Sequence, residues 1–309
     1  MASSVQVKRT REIEGLSNLY FIHPISRVFV GWFARLGVTP NVVSMFGMGF
    51  GVLAAWAYFH YEQWELSVAG FACMIMWHVM DGADGQLARL TGQTSEFGRV
   101  MDGVCDHLSI VLVYASLAFA TALEHGTWVI AVVVAAGISH LAQSSAYEFQ
   151  RQMYDHWVYG KESASFVNVE DQQAEMARRT GISKVFAWIY YVYLNIQYRF
   201  SSYDGELLTR LGQTKDTGEP DFSRARDLYR SVNISTMRHW SLMSNNPRTI
   251  AIFAACIVQQ PLLYFILEIT LLNLLFAWLL HTQRERYSVL KARLAEMSGV
   301  ESALVVGST

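Results

Sequence analysis

Four aspartates lie in one short stretch, Asp81 to Asp106, which reads DGADGQLARLTGQTSEFGRVMDGVCD. At about 100° per residue, Asp81, Asp84, Gly85 and Ala88 share one face of a helix. Gly98, Asp102 and Asp106 share a face of the next helix at i, i+4 spacing. A connection of about a dozen residues (the polar run between the two apolar helices) returns the second helix beside the first, and all four carboxylates can then converge. Converging carboxylates cannot all stay ionised without a counter-charge. Protonation is one answer and a divalent cation is another. An all-oxygen set with no His or Cys in register selects hard cations, Mg²⁺, Mn²⁺ or Ca²⁺. Two such ions can clamp a phosphoryl or pyrophosphate group. Gly85 and Ala88 leave space for a ligand beside the metals, and Arg89 is placed to meet a phosphate. A single aspartate would be read as a helix cap or a solvated loop residue. Four at these spacings, at the ends of two apolar helices, point to metal-dependent phosphoryl transfer at a membrane surface.

The elements that must position them are membrane helices. Of 309 residues, 52% are hydrophobic and 16% charged, where a soluble domain carries about a quarter charged. The net charge of −2 provides no basic field for nucleic acid. Cys73, Cys105 and Cys256 are too widely spaced for a disulfide framework or a zinc site. No apolar signal segment opens the sequence; residues 1–17 are polar, with Lys8, Arg9 and Arg11. The expected fold is an all-α bundle of six transmembrane helices with an N-terminal interfacial helix. The spans run from Val42 to His60, from Leu66 to Met80 and on as polar helix toward Leu90, from Met101 to Leu123, and from Thr127 to Ser145. Two more lie within Thr249–Leu280, separated by a turn at Gln259-Gln260-Pro261. Thr39 is a candidate N-cap and Pro40 suits a first helical turn.

Basic residues flank alternate ends of these spans. Arg27 and Arg35 precede the first, Arg89 and Arg99 follow the second, Arg151, Lys161, Arg178, Arg179 and Lys184 follow the fourth, and Arg284, Arg286, Lys291 and Arg293 follow the sixth. The positive-inside bias places both termini, the 81–102 connection and the 146–247 segment in the cytosol. The expected division is residues 1–38 as cytosolic N-terminus and interfacial helix, and 39–148 as four spans with the acidic motif. Residues 149–246 form a cytosolic or interfacial insertion, 247–284 the last two spans, and 285–309 a cytosolic tail. Residues 204–223, with three glycines and Pro220, read as an exposed loop. Lys184 to Phe200 is rich in Trp and Tyr and suits an interface or a partner helix.

The run Asp81-x2-Asp84-Gly85-x2-Ala88-Arg89-x8-Gly98-x3-Asp102-x3-Asp106 resembles the signature of the CDP-alcohol phosphotransferase family at every fixed position. Thr39-Pro40-Asn41 is similar to a recurring feature of that family. The resemblance implies an integral, multi-pass membrane enzyme with its active site at the cytosolic face. It implies attack of an acceptor hydroxyl, lipid or polar alcohol, on the β-phosphorus of a CDP-linked alcohol, with release of CMP. It further implies that Asp81, Asp84, Asp102 and Asp106 hold two Mg²⁺ or Mn²⁺ ions and that Asp106 is the general base. Asp84, Gly85, Ala88, Arg89 and Gly98 line the nucleotide site, and the enzyme is a homodimer amid membrane lipid. A likeness around Gly82-Ala83-Asp84-Gly85-Gln86 leans toward an inositol-type headgroup. Headgroup transfer from CDP-choline or CDP-ethanolamine to a lipid hydroxyl is the alternative within the family, and a divalent-metal transporter the alternative outside it. Polar residues elsewhere have ordinary structural readings. His140, Gln143 and Ser144 suit a pocket or helix–helix hydrogen bonds, and His107 points away from Asp106. Glu268, inside the sixth span, reads as an intersubunit or cavity residue or as one paired with a partner elsewhere. Arg151 and Arg248 suit an anionic acceptor group at the cytosolic face, and charge bias alone also explains both.

Overall fold

Glycine and proline set the first boundaries. After a π-helical turn at Asn18–Ile22, helix α1 (His23–Leu36) ends at Gly37, whose φ of 67° is left-handed. The Val38 N–H closes this end onto the Phe33 carbonyl at 3.0 Å. Two residues on, Pro40 opens α2 (Pro40–Phe59) at its first turn. Thr39 occupies the N-cap position without a side-chain cap; its carbonyl accepts from Val42 and Val43. The chain continues as α3 (Trp64–Thr91), α4 (Glu96–His125), α5 (Trp128–Tyr159), α6 (Val169–Arg178), α7 (Ile182–Phe200), α8 (Gly205–Asp216) and α9 (Asp221–Trp240). It ends with α10 (Asn245–Ile257), α11 (Pro261–Leu267) and α12 (Asn273–Val306), the last two joined by a π-helical turn at Glu268–Leu272. This computed structural model describes residues 12–160, 169–216 and 221–306, and among them there is no strand.

Among the described residues, five helices are long and apolar enough to cross a membrane: Pro40–Phe59, Trp64–Thr91, Met101–His125, Trp128–Tyr159 and Pro261–Met297. The protein is a multi-pass membrane protein on this evidence. Exposed Met45, Val52, Leu53 and Trp56 on α2, and Val111, Phe119 and Leu123 on α4, would be an aggregation hazard in water and suit lipid instead. The remaining expected span is α10, which begins before Arg248 and has 13 residues. At 1.5 Å per residue it reaches about 20 Å, short of the ~30 Å hydrocarbon core. The turn at Val258–Gln260 does separate it from α11, with Gln259 at a φ of 57°.

One further expectation changes. The loop reading of 204–223 fails because Asp204 Oδ1 accepts the Leu207 N–H at 3.0 Å and starts α8, with Leu207 and Leu211 buried one turn apart. Residues 217–220 lie outside the described residues. The helix that carries the fourth span runs past Ser145, with Ala146, Phe149, Met153 and Trp157 burying one face as it continues to Tyr159.

The chain divides into two compact units. The first holds residues up to Leu141 together with Ser244–Asn273, and the second holds Ala142–Met243 and Leu274–Thr309. In the second, a polar interior ties its helices: Gln150 donates to the Ser201 carbonyl at 2.5 Å and accepts from Tyr287 at 2.7 Å. Gln283 accepts from Trp240 and donates to Asn233. Arg151, at the other end of α5, is paired with Glu148 at 2.6 Å and Asp155 at 3.5 Å.

In the first unit α2 packs on both α3 and α4. A methyl at Gly47 would sit 3.3 Å from Met80 Cβ, and one at Gly51 would strike Ser109 Oγ at 2.5 Å, so two glycines let the three helices approach closely. Tyr58, Trp77, Val113, Tyr114, Val133 and Phe265 fill the core around them. A polar chain crosses this core. His140 bonds Tyr114 through Nδ1 at 2.8 Å and Asn245 through Nε2 at 2.9 Å; Tyr114 meets Tyr264 at 2.5 Å; Tyr264 donates to Glu268 at 3.0 Å. Arg248, 1% exposed, completes it through an ion pair with Glu268, 0% exposed, at 3.2 Å, and donates to the Ser244 carbonyl. Burial and pairing, rather than cytosolic charge bias, account for Arg248, and Glu268 has its partner.

A buried pair of this kind is costly to break and cheap to replace whole. Glu268→Ala is expected to destabilise the protein by about 3–5 kcal/mol, because it strands the guanidinium. Arg248→Met combined with Glu268→Leu is expected to cost clearly less. Denaturant unfolding of the detergent-solubilised protein checks this; a double variant as unstable as the single would contradict it.

Candidate active site

The acidic motif occupies the C-terminal turns of α3 and the N-terminal turns of α4. The two helices run further than their apolar stretches suggest, and only Gly92–Ser95 connect them, in place of the dozen residues expected. Gly92 stops α3 at a φ of 68°. Ser95 then starts α4, its Oγ accepting the Gly98 N–H at 2.9 Å. The tight connection sets Asp102 and Asp106 opposite Asp81. Carboxylate oxygens of Asp81, Asp102 and Asp106 all lie within 4.8 Å of one another.

Asp84 stands beside this trio. It is 4% exposed, adjoins Asp102 and Asp81, and accepts Ser44 Oγ–H at 2.5 Å from the second turn of α2. Asp106 accepts the Trp77 indole N–H at 3.1 Å. Two carboxylates 4.8 Å apart repel by roughly 3–4 kcal/mol at an effective dielectric near 20. The Ser44 hydroxyl and the Trp77 indole N–H soften that repulsion. The donor set is all oxygen, and a single hard cation with bonds of about 2.0–2.6 Å can bridge oxygens at this separation. The residues present therefore fit a hard divalent cation held by Asp81, Asp102 and Asp106.

The small residues of the motif have distinct surroundings. Arg89 folds back over Gly85, where a methyl would meet its guanidinium at 3.5 Å. A methyl at Gly98 would sit 3.0 Å from Ser95 Oγ and 3.1 Å from Asn41 Oδ1, so Gly98 admits both the cap of α4 and the first turn of α2. Ala88 is half-buried on the same helix. Gly82 serves α1: a methyl there would strike Ser26 Oγ at 2.7 Å, and that hydroxyl donates to the Val79 carbonyl at 2.8 Å. Ser26 thereby locks the N-terminal helix onto the motif helix.

Ser44, Trp77 and Ser26 escape a reading of the motif alone, as do the close packing of Asn41 against Gly98 and of Ser26 against Gly82. A helical period would have found Trp77, four residues before Asp81 on its face. Ser44 is the one hydroxyl in the run Val42–Phe46, an inward-facing polar group with no sequence clue to its partner. The nearby histidines are engaged elsewhere. His78 bonds Thr249 at 2.8 Å, exposed His107 bonds the Gly103 carbonyl, and His140 belongs to the core chain described above. Gln143 and Ser144 belong to the second unit.

A family model, CDP-alcohol phosphatidyltransferase, matches residues 37–193, from the start of α2 into α7. An archaetidylinositol phosphate synthase of Pyrococcus horikoshii is 36% identical over 90 residues, 29% of this chain and 44% of the relative. Phosphatidylinositol phosphate synthases of Mycobacteroides abscessus and Mycolicibacterium smegmatis are 33% identical over 93 residues and 30% over 128, covering 30% and 38% of this chain and 41% and 55% of theirs. The chain thus spans about half the length of the curated relatives it matches. Since the family model covers just over half of the 309 residues and includes the whole acidic motif, the chain belongs to the CDP-alcohol phosphatidyltransferase family.

Proposed function

We propose that the protein transfers a phosphate-linked group from a CDP-alcohol to an acceptor hydroxyl in the membrane, releasing CMP. The observation that carries this is the meeting of Asp81, Asp102 and Asp106 within 4.8 Å at the junction of two membrane helices. Asp81, Asp84, Asp102 and Asp106 are proposed to hold Mg²⁺ or Mn²⁺, as two ions. Bound there, the cations would neutralise the donor's pyrophosphate and align it. Asp106 accepts the proton of the acceptor hydroxyl. The acceptor oxygen bonds to the β-phosphorus, the bond from that phosphorus to the bridging oxygen breaks, and CMP leaves with the electron pair. Gly85, Ala88 and Gly98 leave room for the nucleotide, with Arg89 beside its phosphates.

The relatives' names, synthases of inositol phosphate lipids, support CDP-diacylglycerol as donor and an inositol-type polar acceptor. The flanking Lys and Arg residues support a cytosolic face for the site. Exposed Tyr20 and Phe21 in the π-helical turn and Val28 and Trp32 on α1 support an interfacial N-terminal helix. A homodimer is proposed from the resemblance of the motif. Residues 149–246 are proposed as a cytosolic or interfacial insertion.

A matrix of CDP-diacylglycerol and soluble CDP-alcohols against polar and lipid acceptors, read by CMP release and lipid product, tests the reaction. CMP is expected with CDP-diacylglycerol and inositol or inositol phosphate. No CMP from any pair would overturn the reading and favour a metal transporter, which has no reason to produce it. Asp106→Asn keeps the shape of the side chain and removes the base. Its turnover is expected to fall ~10²–10⁴-fold while CDP binding survives much better. Near-normal turnover would remove Asp106 from the mechanism, and an equal collapse of metal affinity and rate would make it a ligand first.

A further inference from the structure

The Trp77 indole lies against Asp106, the residue assigned the proton transfer. Trp77 is 2% exposed and sits in the apolar core of the first unit with Tyr58, Met74 and Val113. Its ring lies 4.4 Å from that of His78, and its Cδ1 is 3.6 Å from where a methyl at Gly47 would stand. His78 is itself tied to Thr249 of α10. The indole thus has little freedom to turn. Its N–H, a donor that cannot accept, reaches Asp106 Oδ1 at 3.1 Å.

Among the described residues Trp77 is the one hydrogen-bond donor to this carboxylate. Asp106 also faces repulsion from Asp81, Asp102 and Asp84. A short side chain under such repulsion would rotate away from the cluster unless something held it. The core supplies that hold through a rigid aromatic donor rooted one turn before Asp81 on α3. We infer that Trp77 is a positioning residue: its indole N–H holds Oδ1 of Asp106 and so presents Oδ2 to the acceptor hydroxyl. This rests on the phosphotransfer reading for its catalytic consequence, but the hydrogen bond itself does not.

Trp77→Phe keeps an aromatic ring in the core and removes the donor. Its kcat is expected to fall about ten- to a hundredfold, the value of a hydrogen bond to a charged group. The KM for the CDP-alcohol is expected to stay within about twofold, since the loss falls on the transition state. In the Asp106→Asn background the same change should cost little further, because both act through one group. Unchanged kcat, or full additivity of the two substitutions, would overturn the inference; loss of thermal stability alone would mark a merely structural role and overturn it too. A second arm needs neither activity nor a folded Trp77 variant. In ¹⁵N–¹H spectra of the detergent-solubilised protein, one of the nine tryptophan indole signals is expected to move in Asp106→Ala while the others hold. No movement would overturn the inference. Should the wild type release no CMP at all, the phosphotransfer reading falls, and the indole signal still decides whether Trp77 holds Asp106.

Discussion

Carboxylates gathered between two membrane helices are the constraint to which the first unit is built. Asp81, Asp102 and Asp106 are brought within 4.8 Å by a four-residue connection that stops one helix at Gly92 and starts the next at Ser95. The closeness depends on glycines that thin the helix contacts, Gly47 and Gly51 on α2 and Gly98 on α4. It is trimmed by neutral donors, Ser44 to Asp84 and Trp77 to Asp106. Each of these features lowers the cost of assembling the carboxylates, and a hard cation bound there would lower it further.

The contrast with the other buried charges in the same unit is instructive. Arg248 and Glu268 balance each other, and Tyr264, Tyr114, His140 and Asn245 extend the pair into a satisfied chain. That chain holds α10 and α11 to α4 and α5 and leaves no charge over. One polar assembly pairs a cation with an anion, and the other gathers carboxylates at the end of two membrane helices, where a cationic ligand is proposed to bind.

Much of the site was legible because helical periodicity is local. Asp81, Asp84, Asp102 and Asp106 fall on facing sides of two helices whatever the remainder of the chain does. The polar continuation of α3 toward Leu90 was legible, but α4 starts at Glu96 and α5 runs on to Tyr159, both beyond the apolar runs that betray a membrane span. The glycines at 205 and 212 suggested a loop, but a capping aspartate and the buried leucines at 207 and 211 outweigh them. Pairings across the fold left no trace in the sequence. Arg248 with Glu268, Ser44 with Asp84 and Ser26 over Gly82 join residues 20 to 56 positions apart, and only packing brings them together.

The central claim is that these carboxylates are assembled to hold a divalent cation. Electron paramagnetic resonance titration of the purified, metal-stripped protein with Mn²⁺ tests it most directly. Saturable loss of the free-ion signal is expected for the wild type, with affinity greatly weakened in Asp81→Asn and in Asp102→Asn and little changed in Glu268→Gln. A wild type that leaves the free Mn²⁺ signal intact, or an affinity indifferent to Asp81 and Asp102, would contradict the claim.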